Sequence, residues 1–95
     1  MRVRYTTRAR NDLEEIYSYI AKDNPGAAQR VEAAILATVK FVAARPYLGI
    51  KNARATELRS RLVSRYPYRV HYFVRDQEIL ILHIRHGARR PLQTP

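Results

Sequence analysis

The side chains of this 95-residue sequence best equipped for chemistry are arginines and histidines, and they crowd its second half. Fifteen of the eighteen basic residues are arginine, and the formal net charge is +10. Residues 1–47 hold eight basic and five acidic side chains, whereas residues 48–95 hold ten basic and three acidic ones, so the excess rises from +3 to +7. A guanidinium presents a planar fork that takes phosphate or carboxylate in two parallel hydrogen bonds and stacks on flat rings. An anionic partner for the second half is therefore expected. The plainer reading of such a composition is a solvated basic surface that serves solubility.

Arg59, Arg61, Arg69, Arg85, Arg89 and Arg90 are the candidate binding residues. Residues 57–63, 68–75 and 78–85 are rich in β-branched and aromatic types, which reads as three strands. Alternation places Tyr68, Val70, Tyr72 and Val74 on one face of the middle strand and Arg69, His71, Phe73 and Arg75 on the other. If helices cover the first set, Arg69 and His71 look away from the core. The preceding strand separates Leu58, Ser60 and Leu62 from Arg59, Arg61 and Val63, so Arg59 and Arg61 are candidates to share the uncovered face with Arg69. A concave face lined in this way focuses positive potential and suits a polyanion.

The histidines are His71, His83 and His86. His83 and His86 stand three apart, which on an extended strand turns them to opposite faces, so no metal pair is expected. His86 is the candidate general acid or base, although no partner carboxylate is visible beside it. A Gly-rich phosphate loop, an ordered Ser/His/Asp set and paired inward carboxylates are all missing, so ordinary hydrolase signatures are absent and no cofactor is expected.

The elements that must position these residues follow from local patterns. Arg2, Val3, Arg4 and Tyr5 alternate as a short edge strand with Val3 and Tyr5 inward. Thr6 or Thr7 caps a first helix in which Ala9, Leu13, Ile16, Tyr17 and Ile20 recur at helical spacing to about Lys22. Asn24 and Pro25 start a second helix, whose stripe of Ala28, Val31, Ile35, Thr38, Val39 and Val42 runs to about Arg45, ahead of Pro46. Residues 46–56 read as a loop, and Asp76-Gln77 as a tight connection. The expected fold is α+β: an N-terminal strand, a two-helix antiparallel hairpin, then a three-stranded antiparallel sheet, in one domain spanning residues 1–95. With no cysteine there is no disulfide framework or thiolate metal site, and the longest apolar stretch, residues 33–44, is interrupted by Lys40 and too short for a bilayer. A cytoplasmic protein with no membrane partner is expected.

These fragments carry a family resemblance. Tyr5-Thr6-Thr7-Arg8-Ala9-Arg10-Asn11-Asp12-Leu13-Glu14-Glu15-Ile16, with Tyr19 and Ile20, resembles the first strand and helix of the ParE branch of the RelE/ParE toxins. Pro46-Tyr47-Leu48-Gly49 is similar to that family's post-helix loop, and Leu58-Arg59 with Tyr68-Arg69-Val70-His71-Tyr72 to its central strands. Ile84-Arg85-His86-Gly87-Ala88-Arg89-Arg90-Pro91 resembles its closing segment. The resemblance implies the toxin of a type II toxin-antitoxin pair, neutralised by a cognate antitoxin whose flexible C-terminal segment wraps it.

RelE-like members cut mRNA on the ribosome, and ParE-like members inhibit DNA gyrase. In the nuclease branch the resemblance assigns Arg69 to substrate phosphate and Arg89 to developing charge, so the candidate catalytic set is Arg61, Arg69, His86 and Arg89. Ser60 and Leu62 stand where that branch carries lysines, and its C-terminal tyrosine is absent from residues 91–95. Ribonucleolysis needs a base for the 2′-hydroxyl and an acid for the leaving oxygen, and arginine stays protonated. The resemblance therefore favours a ParE-like inhibitor over a RelE-like endoribonuclease. A third reading is a non-catalytic nucleic-acid-binding module, which would lack a recognisable reading helix or aromatic sheet motif.

Overall fold

The structure, a computed structural model, describes residues 1–52, 54 and 57–87. Strand β1 (Arg2–Tyr5) alternates exposed and half-buried residues, with Val3 and Tyr5 packed on the core. Thr6 ends it in an extended conformation, and its hydroxyl oxygen accepts from the Ala9 amide at 2.9 Å, so helix α1 (Thr7–Ala21) starts with one orphan donor satisfied. Helix α2 (Pro25–Ala44) begins the same way, with Asn24 accepting from the Ala27 amide at 3.0 Å and Pro25 in the first turn. Its buried stripe is the expected one, from Ala28 to Val42. Thr38, within that stripe, satisfies its hydroxyl by donating to the Ala34 carbonyl at 2.9 Å.

After α2 come a 3-10 turn (Pro46–Leu48) and strands β2 (Ile50–Lys51), β3 (Leu58–Leu62), β4 (Tyr68–Arg75) and β5 (Glu78–His86). They form one sheet in the order β1-β5-β4-β3-β2, antiparallel except where β1 runs parallel to β5. The α+β class is as expected, but the sheet has five strands and is mixed. Pairing of β1 with β5 joins the two ends of the chain, which no local pattern reveals. β2 lies inside the stretch read as a loop, because two residues at a sheet edge are too short to show a period.

At the β4–β5 connection Asp76 and Gln77 both take positive φ, 50° and 64°. Left-handed geometry at both central positions is the two-residue hairpin turn whose twist matches that of the strands. Further along β5 the register slips: His71 faces His83 but Tyr72 faces Ile81, so Leu82 is an extra residue. The bulge reverses the alternation of everything beyond it on β5.

Both helices cover one sheet face. Val70, Tyr72, Ile79, Ile81 and Ile84 meet Ala9, Val31, Ile35, Val39 and Val42 there, and Tyr72 is wholly buried. Its hydroxyl donates to the Pro46 carbonyl at 2.7 Å and accepts from the Gly49 amide at 3.1 Å. A Cβ on residue 49 would overlap that hydroxyl, which is why glycine stands there.

Candidate functional site

Registers between β3 and β4 decide which arginines share a face. Leu58 stands opposite Phe73, Ser60 opposite His71 and Leu62 opposite Arg69, whereas Arg59 pairs with Tyr72 and Arg61 with Val70. Cross-strand partners point the same way, so Arg59 and Arg61 lie on the helix side with the buried Tyr72 and Val70. This corrects the expectation that both join Arg69: Arg61 does not, and Arg59, although it sits on the helix side of β3, still reaches the border of the cleft that Arg69 lines. Arg59 donates from Nη1 to the Tyr47 and Gly49 carbonyls, both at 3.2 Å, and its guanidinium lies 5.1 Å from the Tyr47 ring centre. Arg61 lies 4.2 Å over the Phe41 ring of α2. Both cations close the rim of the helix-sheet interface, with their charge over an aromatic face.

The uncovered face keeps Arg69, His71 and Ser60. Arg69 donates from Nη1 to the Ser60 hydroxyl at 2.9 Å, and Arg85 stands opposite Arg69 in register. With Lys51, Asn52, Arg59 and His83, and with Ile50, Leu58 and Leu82 as apolar walls, Arg69, His71 and Ser60 line a cleft of about 540 Å³. His71 is only 8% exposed, and its ring meets that of His83 edge to face at 6.4 Å between centres. Burial, followed by the neighbouring His83, Arg69 and Arg85, pulls the His71 pKa down to about 4. His83 is also lowered, chiefly by burial and then by Arg8 and Arg85, with Asp12 opposing. Both imidazoles are therefore neutral near pH 7.

Asp12 of α1 holds the bulged part of β5. Its Oδ2 accepts from the Ile84 amide at 3.0 Å, while the Thr6 hydroxyl donates to the Leu82 carbonyl at 2.9 Å. β1 ends opposite Ile81, so these two side chains satisfy backbone groups that no neighbouring strand reaches. Asp12 Oδ2 is also 3.9 Å from Nδ1 of His83, too far for a hydrogen bond, and that buried nitrogen has no hydrogen-bond partner among the described residues. Sequence reasoning gave Asp12 no role beyond the surface of α1 and weighed His83 only as one of a metal pair with His86. Their association depends on the bulge, which has no signature in the residue pattern.

His86 pairs with Tyr68 in register and packs edge to face on its ring at 5.6 Å. It lines a second cleft, of about 690 Å³, with Arg8, Asp12, Glu15, Tyr19 and Arg85. Of the candidate catalytic set, Arg61 and His86 thus lie on the helix side and Arg69 on the opposite face, so these three do not form one site. Arg89 and Arg90 lie outside the described residues. Among the described residues no group of three or more His, Cys, Asp or Glu side chains is placed to hold a metal, and no helix is long and apolar enough to cross a membrane.

A two-helix layer on a mixed sheet whose opposite face carries an open, basic cleft defines a small α+β domain. Residues 3–91 match the family model described as the ParE toxin of the type II toxin-antitoxin system parDE, and the chain belongs to that family. Among its relatives, Y4kP of Sinorhizobium fredii is 41% identical over 80 residues, covering 83% of this chain and 82% of that protein. Toxin RelE2 of Caulobacter vibrioides is 36% identical over 85 residues, covering 90% and 93%. A solved structure of the chromosomal ParDE toxin-antitoxin system from P. aeruginosa superposes with a TM-score of 0.78 at 25% identity, covering 90% of this chain and 95% of the matched one. The YoeB/ParE toxin from Agrobacterium tumefaciens shares the fold, with a TM-score of 0.63 at 16% identity and coverage of 90% and 98%. The protein is a type II toxin of the ParE/RelE family, and a toxin of this family is paired with a cognate antitoxin.

Proposed function

We propose that this toxin acts in the ParE manner, by binding and inhibiting DNA gyrase, and that its cognate antitoxin releases the block by covering the same basic surfaces. The observation that carries this reading is the split of the nuclease candidates: Arg61 and His86 face the helices while Arg69 faces the open side. A strand-cleaving site needs its base, acid and phosphate ligand within hydrogen-bond reach of one substrate. An inhibitor that works by occupancy needs only complementary surface, for which Arg69, Arg85, Arg89 and Arg90 are the proposed contacts.

The relative named Toxin RelE2 keeps the second reading alive, that of a ribosome-dependent endoribonuclease. In that case proton transfer would fall to groups on the open face and not to His86. Induced expression of the chain without its antitoxin tests the toxin reading. Growth should stop within a few generations and resume on co-expression of the neighbouring antitoxin. Robust growth with folded protein at high level would count against a toxin of either kind.

A further inference from the structure

We propose that Tyr47, Leu48 and Ile50, on the turn from α2 into the sheet, form an anchor for the cognate antitoxin, and that they seat a segment carrying both apolar and acidic side chains. The inference goes beyond the basic contacts proposed above and does not depend on which target the toxin inhibits.

Exposure comes first. Tyr47, Leu48 and Ile50 are 62%, 58% and 66% exposed, three large apolar residues within four positions. Single exposed apolar side chains are ordinary on a folded protein, whereas a cluster marks a surface that another molecule covers.

The second observation is that this cluster is held still. The Tyr72 hydroxyl binds the Pro46 carbonyl and the Gly49 amide, and Arg59 donates to the carbonyls of Tyr47 and Gly49 while its guanidinium lies over the Tyr47 ring. The Leu48 amide closes the turn on the Arg45 carbonyl at 3.3 Å. Every residue from 46 to 49 therefore has a backbone group tied down, although the side chains of Tyr47 and Leu48 stand in solvent. A surface ordered before it is bound loses little conformational freedom on association, which is what an interface anchor requires.

Charge names the occupant. Between Glu32 and Asp76 the sequence holds nine basic side chains and one acidic one, Glu57. Arg45 and Lys51 adjoin the cluster in the chain, and Arg59 stands across from Lys51 in the sheet. None of the three has a carboxylate within ion-pair distance among the described residues. A second copy of the chain would set the same charges against them, and a two-residue edge strand that carries a lysine resists pairing with itself. A partner bearing carboxylates meets them with opposite charge. Apolar anchors belong to long-lived complexes, and the antitoxin is the partner that family membership supplies. Ile50 also borders the open cleft, so a segment seated on Tyr47 and Leu48 and continuing over Ile50 covers one wall of it.

Hydroxyl-radical footprinting of the full chain, alone and bound to its cognate antitoxin, tests the location. Labelling of Tyr47 and Leu48 should fall severalfold in the complex, and unchanged labelling would overturn the proposal. Surface plasmon resonance against immobilised antitoxin tests the energetics. Leu48→Ser combined with Ile50→Thr, its fold checked by circular dichroism, should weaken binding by about tenfold or more, the scale of lost apolar anchors. Lys51→Glu should slow association by about threefold or more, because a charge at the rim of an interface acts mainly on the encounter rate. Variants that bind as tightly and as fast as the parent would overturn the proposal. So would a dimer of the parent chain in sedimentation that Leu48→Ser dissolves, which assigns the cluster to a second copy. Loss of growth arrest by variants that still bind antitoxin like the parent would assign it to the target and overturn the proposal as well.

Discussion

Tyr72 and Gly49 are locked together: the glycine amide donates to a phenol that is itself wholly buried and donates onward to Pro46. The turn out of α2 is thereby pinned to the centre of β4, and Arg59 adds two hydrogen bonds to the same turn. This contact fixes where β2 starts and hence one wall of the open cleft.

Tyr72→Phe leaves the ring in place and strands the Gly49 amide and Pro46 carbonyl. A loss of about 1–3 kcal/mol is expected, the desolvation cost of buried groups left unsatisfied. Gly49→Ala forces the phenol to move and should cost at least as much. Urea unfolding of the three proteins checks both, and unchanged midpoints would show that the turn is not held by this contact.

Arg61 and Arg69 separate by role. Arg61→Ala removes a cation from the Phe41 ring and should cost about 0.5–2 kcal/mol of stability. Arg69→Ala removes a side chain from an open face and should stay within about 0.5–1 kcal/mol of the parent, the net value of its single hydrogen bond to Ser60. The same denaturation assay distinguishes them, with the reverse order contradicting the strand register.

Asp12→Ala frees the Ile84 amide at an uncovered sheet edge. A charge-assisted hydrogen bond of this type contributes about 1.5–3 kcal/mol. Hydrogen exchange at Ile84 should accelerate by more than the amides of β4, and equal acceleration everywhere would mean that Asp12 acts only through global stability.

His71 makes stability pH-dependent. Its folded pKa of about 4 lies below the ordinary imidazole value of 6.5, so under acid conditions the unfolded chain binds the proton more readily. The stabilisation is complete above pH 6.5, falls as pH drops from there toward 4, and levels off below. The total is on the order of 3 kcal/mol at most. Chemical denaturation at pH 7, 5.5 and 4.5 should show this decline, and its size should shrink in His71→Gln if that variant folds.

Much of this architecture is legible from the residues. Both helices announce themselves through Thr6, Asn24-Pro25 and their apolar stripes, and β4 and β5 through alternation. The faces of β3 are harder. Leu58 and Leu62 look like core residues and Arg59 and Arg61 like surface ones, so no local pattern tells which pair a helix will cover. Register gave the apolar pair to the open side, because Phe41 and Tyr47 offer aromatic faces to the arginines. Parallel pairing of β1 with β5 is a contact between chain ends, and the Leu82 bulge that brings His83 beside Asp12 depends on that pairing stopping at Ile81. The open site therefore rests on long-range geometry that composition and period do not encode.

The split between Arg61 and His86 on one face and Arg69 on the other is the basis for reading this toxin as an inhibitor by occupancy. A supercoiling assay with purified gyrase, run beside primer extension on translated mRNA, tests it most directly. The account predicts that supercoiling falls with toxin concentration and recovers on adding antitoxin, while the mRNA shows no new ends. Codon-specific cuts in the mRNA with gyrase untouched would contradict it.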